Sequence, residues 1–514
     1  MSAVRADVAV VGAGPAGMAA ALAAADLGAQ VVLVDAGAAM GGQIYRPPAT
    51  ASAAAGPSVG PKLPQRLRRA VGHPRIRHLP GTTVWQAIKV TDVADNVDGA
   101  GGEIGAEGAE RAERAGEADG FGGVGGAEFR LWLTSAAGRT EAERSEPDQL
   151  LVRAVVIATG ASEVALPFPG WELPGVTTVG AAQALLKGQG VVAGHRVVVA
   201  GSGPLLLPAA AGLAEAGVHV VAVLEANRVT PGRVAGAVRL APFSKKVSEA
   251  GGYARILGRH RVPVRAGYAV TAAQGDGRVE QATISRVDRD WRPVPGTGRQ
   301  VPVDAVHVSF GFSPALELTR LLGCADLPQA GRPAAATWCD ADQATSVPGV
   351  FAAGETTGVA GADVAELEGY VAGAAAARYL GLLSWEPFNK KTSSVRSALA
   401  RARDFARRLE DVYPWRPGGL DWPRADTLVC RCEEVPWAAI GAAVADGARD
   451  VRAVKGVTRC GMGYCQGRVC GPALQQAVAV ATGRGLSAVG DLGTRPLISP
   501  VTLGTIAAGA PPAT

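Results

Sequence analysis

Five of the seven cysteines fall between Cys430 and Cys470, and none lies in the first 323 residues. Thiolates are soft ligands, and four of them near loop ends can hold iron–sulfur or zinc. The spacing CxC–x32–CxxxxC selects Cys430, Cys432, Cys465 and Cys470 as the ligand set. Cys460 is left as a spare that could replace one of them. Three chemistries compete. A [2Fe–2S] cluster is favoured, because nucleotide-binding units upstream create a need for a one-electron relay. Structural zinc ordinarily uses CxxC knuckles rather than CxC. Regulatory disulfides are the third. Cys324 and Cys339 read as buried structural thiols.

The second chemistry-bearing pattern opens the chain. Asp7-Val-Ala-Val-Val11 reads as a buried parallel strand, followed by Gly12-Ala13-Gly14-Pro15-Ala16-Gly17 and a helical run from Met18 to Leu27. A second strand, Val31 to Val34, ends in Asp35 and Ala36. Gly12 permits the tight turn, Gly14 lets the backbone approach a pyrophosphate, and Gly17 lets helix and strand pack closely. Asp35 is placed to accept hydrogen bonds from a ribose. Val155-Val-Ile157 leads into Ala158-Thr159-Gly160, a small-residue turn suited to another close pass over a nucleotide.

A second unit starts at Arg196-Val-Val-Val199. Its loop is Gly201-Ser-Gly203-Pro204-Leu-Leu206, and the next strand ends in Glu225. Leu206 stands where a third glycine would be, which loosens the fit. Glu225 would repel a 2′-phosphate, favouring NAD or an adenine nucleotide over NADP. The competing reading is a Rossmann-like structural domain with an altered pocket. A third glycine-and-acid segment, Gly354-Glu355, precedes a small-residue helix reaching Tyr379.

These elements partition the chain. Residues 1–165 and 305–385 form one nucleotide-binding domain, and 166–304 a second Rossmann-like domain. Residues 386–424 form a helical connector, 425–485 the cysteine domain and 486–514 a tail. A Gly/Ala/Glu-rich stretch at 95–127 reads as a disordered insertion between hairpin strands around Val84 and Phe129 to Leu133. The connector helix repeats Val395, Leu399, Ala402, Ala406 and Leu409 on one face. Arg396, Arg401, Arg403, Arg407 and Arg408 cover the others, as a solvated face or as a docking surface for an acidic partner.

Composition excludes several classes. The chain has 514 residues, 48% hydrophobic and 19% charged, with a net charge of +5. That is globular composition with no basic footprint for nucleic acid. No segment reads as a membrane span; the uncharged stretch Val197 to Ala214 approaches the length but is broken by glycines and prolines. No signal peptide is legible, and clustered cysteines fit a reducing cytoplasm. Membrane contact is peripheral at most.

Four motifs together carry a family resemblance over nearly the whole chain. They are Asp35-Ala-Gly37 with Gly41-Gly42-Gln43-Ile-Tyr-Arg46; Pro167-Phe-Pro-Gly-Trp171 through Val176; Gly201 to Leu206; and Thr458-Arg-Cys-Gly-Met-Gly-Tyr-Cys-Gln-Gly-Arg-Val-Cys470. The sequence resembles the α (A) subunits of opine oxidases, D-hydroxyproline dehydrogenases, dye-linked L-proline dehydrogenases and hydrogen cyanide synthase. The resemblance implies an α/β fold. Two Rossmann-like domains of the disulfide-reductase-like flavoprotein type would precede a small helical [2Fe–2S] domain like bacterioferritin-associated ferredoxin. It implies FAD, or an adenine nucleotide, against Gly12, Gly14, Asp35, Gln43 and Gly160, and the four cysteines as cluster ligands. Gly42, Val84, Gly354 and Glu355 complete the expected first site. Glu355 departs from the usual Asp, and its extra methylene leaves FAD and ATP both open. The resemblance also implies a separate flavin-carrying β subunit that oxidises the carbon–nitrogen bond. A small ferredoxin-like subunit is a further candidate partner.

On this reading the chain is the electron-transferring α subunit of an amino-acid or opine dehydrogenase, and none of its own residues is assigned a catalytic role. No CxxC lies before residue 324 and no HExxH occurs. The alternatives are a self-contained NADH-dependent flavin reductase and a non-redox scaffold with vestigial nucleotide sites.

Overall fold

The computed structural model describes residues 3–48, 63–90, 128–135, 148–228, 244–329, 334–493 and 495–509. The expected insertion at 95–127 lies outside the described residues. The first sheet is built around the strand Ala3–Val11, which pairs in parallel with Val31–Asp35 on one side and Gln149–Ile157 on the other. Ile76–Pro80 extends it beyond Val31–Asp35. The long strand Gln149–Ile157 divides its free edge. Its first half pairs with the antiparallel hairpin Thr82–Val90 and Glu128–Ser135, and its last residues pair in parallel with Val350–Ala352. The runs Val8 to Val11 and Val31 to Val34 are buried, as a sheet covered on both faces requires.

One face of that sheet carries the helices Pro15–Asp26 and Ala362–Tyr379. They cross so closely that a Cβ on Gly369 would lie 2.0 Å from the Ala16 carbonyl oxygen, and one on Gly373 2.2 Å from that of Ala20. The small residues of the second helix therefore serve backbone contact with the first, which fixes the first helix over the strand ends.

The second unit is an all-parallel sheet in the order Val264–Ala266, His219–Glu225, Arg196–Gly201, Ala305–Ser309, Val176–Thr178. A three-stranded antiparallel meander, Tyr268–Gln274, Gln281–Arg286 and Arg299–Pro302, packs against it. The boundary expected at residue 305 falls one strand early. Ala305–Ser309 is a central strand of the second sheet, and the chain returns to the first unit only through Phe312–Pro314, paired with Ala161–Glu163.

The connector and tail are both packed. The helix Trp385–Val412 buries Phe388, Thr392, Leu399, Ala402 and Ala406. Two of its five expected surface arginines point inward, Arg396 onto Asp342 at 2.5 Å and Arg403 onto the buried Glu368. Trp415 and Trp422 then join Trp291 and Phe310 in an aromatic cluster of the second unit. The tail returns to the first unit, where Ile498 is buried and its N–H donates to the Trp85 carbonyl at 3.0 Å.

Candidate functional site

The first glycine loop joins Val11 to the helix Pro15–Asp26, with Gly14 as N-cap and Pro15 in the first turn. Pro there forgoes an N–H that would have no partner, and its fixed φ suits the helix. Gly12 has φ +105°, and a Cβ there would lie 2.2 Å from the Ala158 carbonyl oxygen. A Cβ on Gly17 would lie 1.7 Å from the Gly12 carbonyl oxygen. A Cβ on Gly14 meets nothing within 4 Å. The loop is therefore closed beneath and open above, at a helix N-terminus that favours negative charge.

Three distant segments meet this loop. Ala158, leading into Thr159 and Gly160, continues from the neighbouring strand, its N–H donating to the Val11 carbonyl at 2.8 Å. The Gly41 N–H donates to the Ala13 carbonyl at 2.8 Å, which brings Gly42 and Gln43 alongside. A Cβ on Gly42 would lie 2.8 Å from Gly14 Cα. A Cβ on Gly354 would lie 2.9 Å from the Ala16 methyl, so the turn carrying Glu355 abuts the helix start. Val84 does not join them by any hydrogen bond among the described residues. Its side chain is in the core, and its carbonyl accepts from the Ser499 hydroxyl at 3.1 Å.

Two carboxyl groups lie on or beside the converging segments. Asp35 Oδ1 accepts from the Gly37 N–H at 3.1 Å, while Oδ2 is buried without a hydrogen-bond partner among the described residues. Burial pushes the Asp35 carboxyl up, against the pull of the Gly37 and Ala13 N–H groups and Arg46. An unsatisfied buried acceptor costs about 1–3 kcal/mol. A ribose hydroxyl would relieve that cost. Glu355 is raised by burial alone.

The second loop has similar residues and a different outcome. Gly201 has φ +144°, and a Cβ there would lie 1.7 Å from the Ser309 carbonyl oxygen. The helix, however, begins only at Leu206, whose side chain is buried in the hydrophobic core. Gly203 donates its N–H to Glu225 Oε2 at 2.9 Å, and Asn227 donates to Oε1 at 2.8 Å. Asn227 in turn donates to the Ser202 hydroxyl at 2.7 Å and accepts from the Trp291 indole at 3.3 Å. Burial pushes the Glu225 carboxyl up to about 7. Both its oxygens are already engaged within the protein. Gly201, Gly203, Pro204 and Glu225 do come together, but as a self-satisfied knot.

The cysteine module has its own core. The helices Trp437–Ala445, Val451–Thr458 and Gly471–Thr482 pack around the short hairpin Leu428–Cys430 and Val435–Pro436. It brings together all five thiols. Cys432, the exposed one, lies against Cys465, and Cys465 against Cys470. The buried Cys430, Cys460 and Cys470 have sulfurs within 4.8 Å of one another. Hydrogen bonding from Cys470 leads the effects that hold the Cys465 thiol below the usual thiol range. The module is fastened to both units. The Trp171 indole donates to the Leu428 carbonyl at 2.6 Å, Arg431 stacks over the Trp171 ring, and Arg468 pairs with Glu317 at 2.7 Å. A cleft of about 980 Å³ runs between the module and the segment from Ser313 to Arg320.

Sequence reasoning did not connect Glu368 with Arg403, a pair whose carboxylate accepts from the Gly354 N–H beside the first loop. The one available signal was a run of three acids, Asp363, Glu366 and Glu368, opening a helix whose second half is built mostly of small residues.

Comparison with known proteins agrees with this architecture. Residues 6–377 match the model of the pyridine nucleotide-disulphide oxidoreductase family, and residues 425–510 that of the sarcosine oxidase A3 domain. The opine oxidase A subunit of Agrobacterium tumefaciens (strain Ach5) is 33% identical over 507 residues, covering 96% of this chain and 89% of that protein. Hydrogen cyanide synthase subunit HcnB of Pseudomonas protegens is 30% identical over 481 residues, covering 92% of each. The crystal structure of L-proline dehydrogenase from P. horikoshii aligns with a TM-score of 0.63 at 18% identity, over 98% of this chain and 80% of that one, and shows a shared fold. No helix among the described residues is long and apolar enough to cross a membrane.

Proposed function

Given that this chain is an oxidoreductase of the pyridine nucleotide-disulphide oxidoreductase family, in the branch of the opine oxidase A subunits and HcnB, we propose that it is the electron-transferring α subunit of a heteromeric dehydrogenase. That enzyme oxidises an amino acid, an opine or a similar secondary amine. The relatives named as subunits support a partner chain, and we assign to it the flavin that takes electrons from the carbon–nitrogen bond. The onward acceptor is a quinone, a cytochrome or a dye, and the compartment is the cytoplasm.

The observation that carries this reading is the grouping of the thiols. A [2Fe–2S] cluster needs two thiolates on each of two irons. Cys432 with Cys465 at the surface, and Cys430 with Cys470 inside, make two such pairs. Cys460 is the extra buried thiol beside the inner pair. Bound there, a cluster supplies one-electron chemistry. The protein's part is to hold the thiolates, to bury one pair, and to leave the other near the surface.

The first loop fits FAD or an adenine nucleotide. Gly12, Ala13, Gly14, Pro15, Ala16 and Gly17 would hold the pyrophosphate, Asp35 and Ala36 the ribose, and Gly42, Gln43, Ala158, Thr159, Gly160, Gly354 and Glu355 the rest. The space above Gly14 and the unpartnered Asp35 oxygen support this. The second loop offers no free carboxylate oxygen at Glu225, which argues against a nicotinamide site and against the NADH-dependent reductase.

Anaerobic mixing of the purified chain with NADH tests the choice. Slow or no bleaching of flavin and cluster absorption, with reduction restored by a co-expressed partner and its amine substrate, is the expected result. Fast bleaching by NADH alone would make the chain a reductase in its own right. Iron and acid-labile sulfide are expected in the wild type and lost from Cys465→Ser.

A further inference from the structure

Glu368 is 2% exposed, yet both its carboxylate oxygens are in use. Oε2 accepts from the Gly354 N–H at 2.7 Å and from the Thr357 hydroxyl at 2.8 Å. Oε1 accepts two hydrogen bonds from Arg403, from Nε at 3.0 Å and Nη2 at 2.8 Å. Arg403 Nη2 also lies 2.8 Å from the Gln343 side-chain oxygen, whose amide nitrogen donates to the Ala352 carbonyl at 3.1 Å. One guanidinium from the connector helix thus reaches both the strand end at Ala352 and the turn at Gly354. That turn carries Glu355 and abuts Ala16 at the start of the glycine-loop helix.

A buried ion pair at this place needs a reason beyond stability. Well-packed apolar residues often serve a core equally well or better, because two charges must lose their water. What the pair adds is direction. A carboxylate that accepts an N–H and a hydroxyl from the same turn fixes that turn's backbone, and a two-pronged arginine fixes the carboxylate. The chain leaves the helix bearing Arg403 at Val412 and runs through Trp415 and Trp422 into the cysteine module.

We infer that Glu368 and Arg403 are positioning residues for the first nucleotide site, clamping the Gly354–Thr357 turn against the glycine-loop helix, and that the connector helix is thereby part of that site rather than a tether. The inference rests on the proposal that the first loop binds FAD or an adenine nucleotide. The clamp touches no nucleotide itself. It sets the distance between the Glu355 turn and the helix start, and the connector helix holds the clamp shut.

The test uses the full chain with FAD and ADP as probes, binding being followed by calorimetry and flavin fluorescence. Arg403→Met with Glu368→Met removes both charges while keeping apolar volume, so the fold is expected to survive with its iron content unchanged. Binding of FAD or ADP is expected to weaken about tenfold, as it would if the released turn held its binding geometry about a tenth of the time. Arg403→Lys keeps the charge without the fork and should fall between that variant and wild type, a graded rescue that mere packing would not give. Wild-type affinity in the double variant overturns the clamp. Should the double variant fail to fold, wild-type affinity in both Arg403→Lys and Glu368→Gln overturns it instead. A wild-type chain that binds neither probe overturns the nucleotide assignment, and the clamp with it.

Discussion

In the first glycine loop the helix starts at Pro15, three residues after Gly12; in the second it starts at Leu206, five residues after Gly201. The acid that follows each loop diverges as well. Among the described residues Asp35 keeps one buried oxygen without a partner, whereas both oxygens of Glu225 accept backbone N–H groups. The two units share a strand–loop–helix–strand–acid pattern and differ in what is left over once the protein has satisfied itself. A site for a ligand is a place where hydrogen-bonding capacity remains unspent. By that measure we propose the first loop as the nucleotide site, while the second unit carries the meander and receives Trp415 and Trp422.

The sharpest way to break this contrast is to fill both loops. Gly14→Val places a branched side chain in the open space where a pyrophosphate would lie. FAD or ADP content is expected to fall at least about a hundredfold, by loss of close backbone approach and of the helix N-terminus. Gly203 also has open space around it, but its φ of +122° disfavours a side chain. Gly203→Val should therefore lower the thermal midpoint and leave cofactor content per folded chain within about twofold of wild type. Loss of cofactor from Gly203→Val alone would reverse the assignment of the loops.

The next effect is on stability and separates the two acids by pH. The Glu225 carboxyl sits at about 7 in the folded chain against 4.5 for the free group, so the folded state binds the proton more tightly than the unfolded one. Its contribution is fully present below about pH 4.5 and fades as pH rises through 7, by about 3 kcal/mol in all. Glu225→Gln removes that titration. Unfolding free energies from pH 4.5 to 8 should show wild type losing ground to the variant as pH rises. A constant difference across that range would mean that the carboxylate is ionised throughout and the knot is held by charge.

How legible these differences were depends on the range over which each is decided. The first loop was readable because its glycine spacing is dictated by local covalent geometry, and the cysteines because their residue type is rare and clustered. The strand Ala305–Ser309 belongs to the second unit against the expectation from its position in the chain, because its partners, Arg196–Gly201 and Val176–Thr178, lie more than a hundred residues away across the meander. The inward turn of Arg396 and Arg403 was hidden among five arginines on one amphipathic helix, where only the packed neighbours Asp342 and Glu368 distinguish them. The state of Glu225 could not be read either, since an acid at a strand end looks the same whether its partner is a ribose or a backbone N–H.

Asp35→Asn tests that last ambiguity with the smallest change. The amide keeps an oxygen for the Gly37 N–H, but its nitrogen replaces the unpartnered Oδ2. A donor then faces the position from which a ribose hydroxyl would donate. The lost hydrogen bond to a charged acceptor corresponds to about 1.5–3 kcal/mol, or roughly tenfold to a hundredfold in Kd for FAD or ADP. The free protein should gain stability, because a buried carboxyl raised by desolvation has been replaced by a neutral group. Glu225→Gln in the same assay should leave Kd unchanged. Weaker binding together with a more stable apoprotein is the signature of a residue kept unsatisfied for a ligand. A loss of stability with unchanged Kd would show that Asp35 serves its own loop, as Glu225 does, and would remove the distinction between the two units.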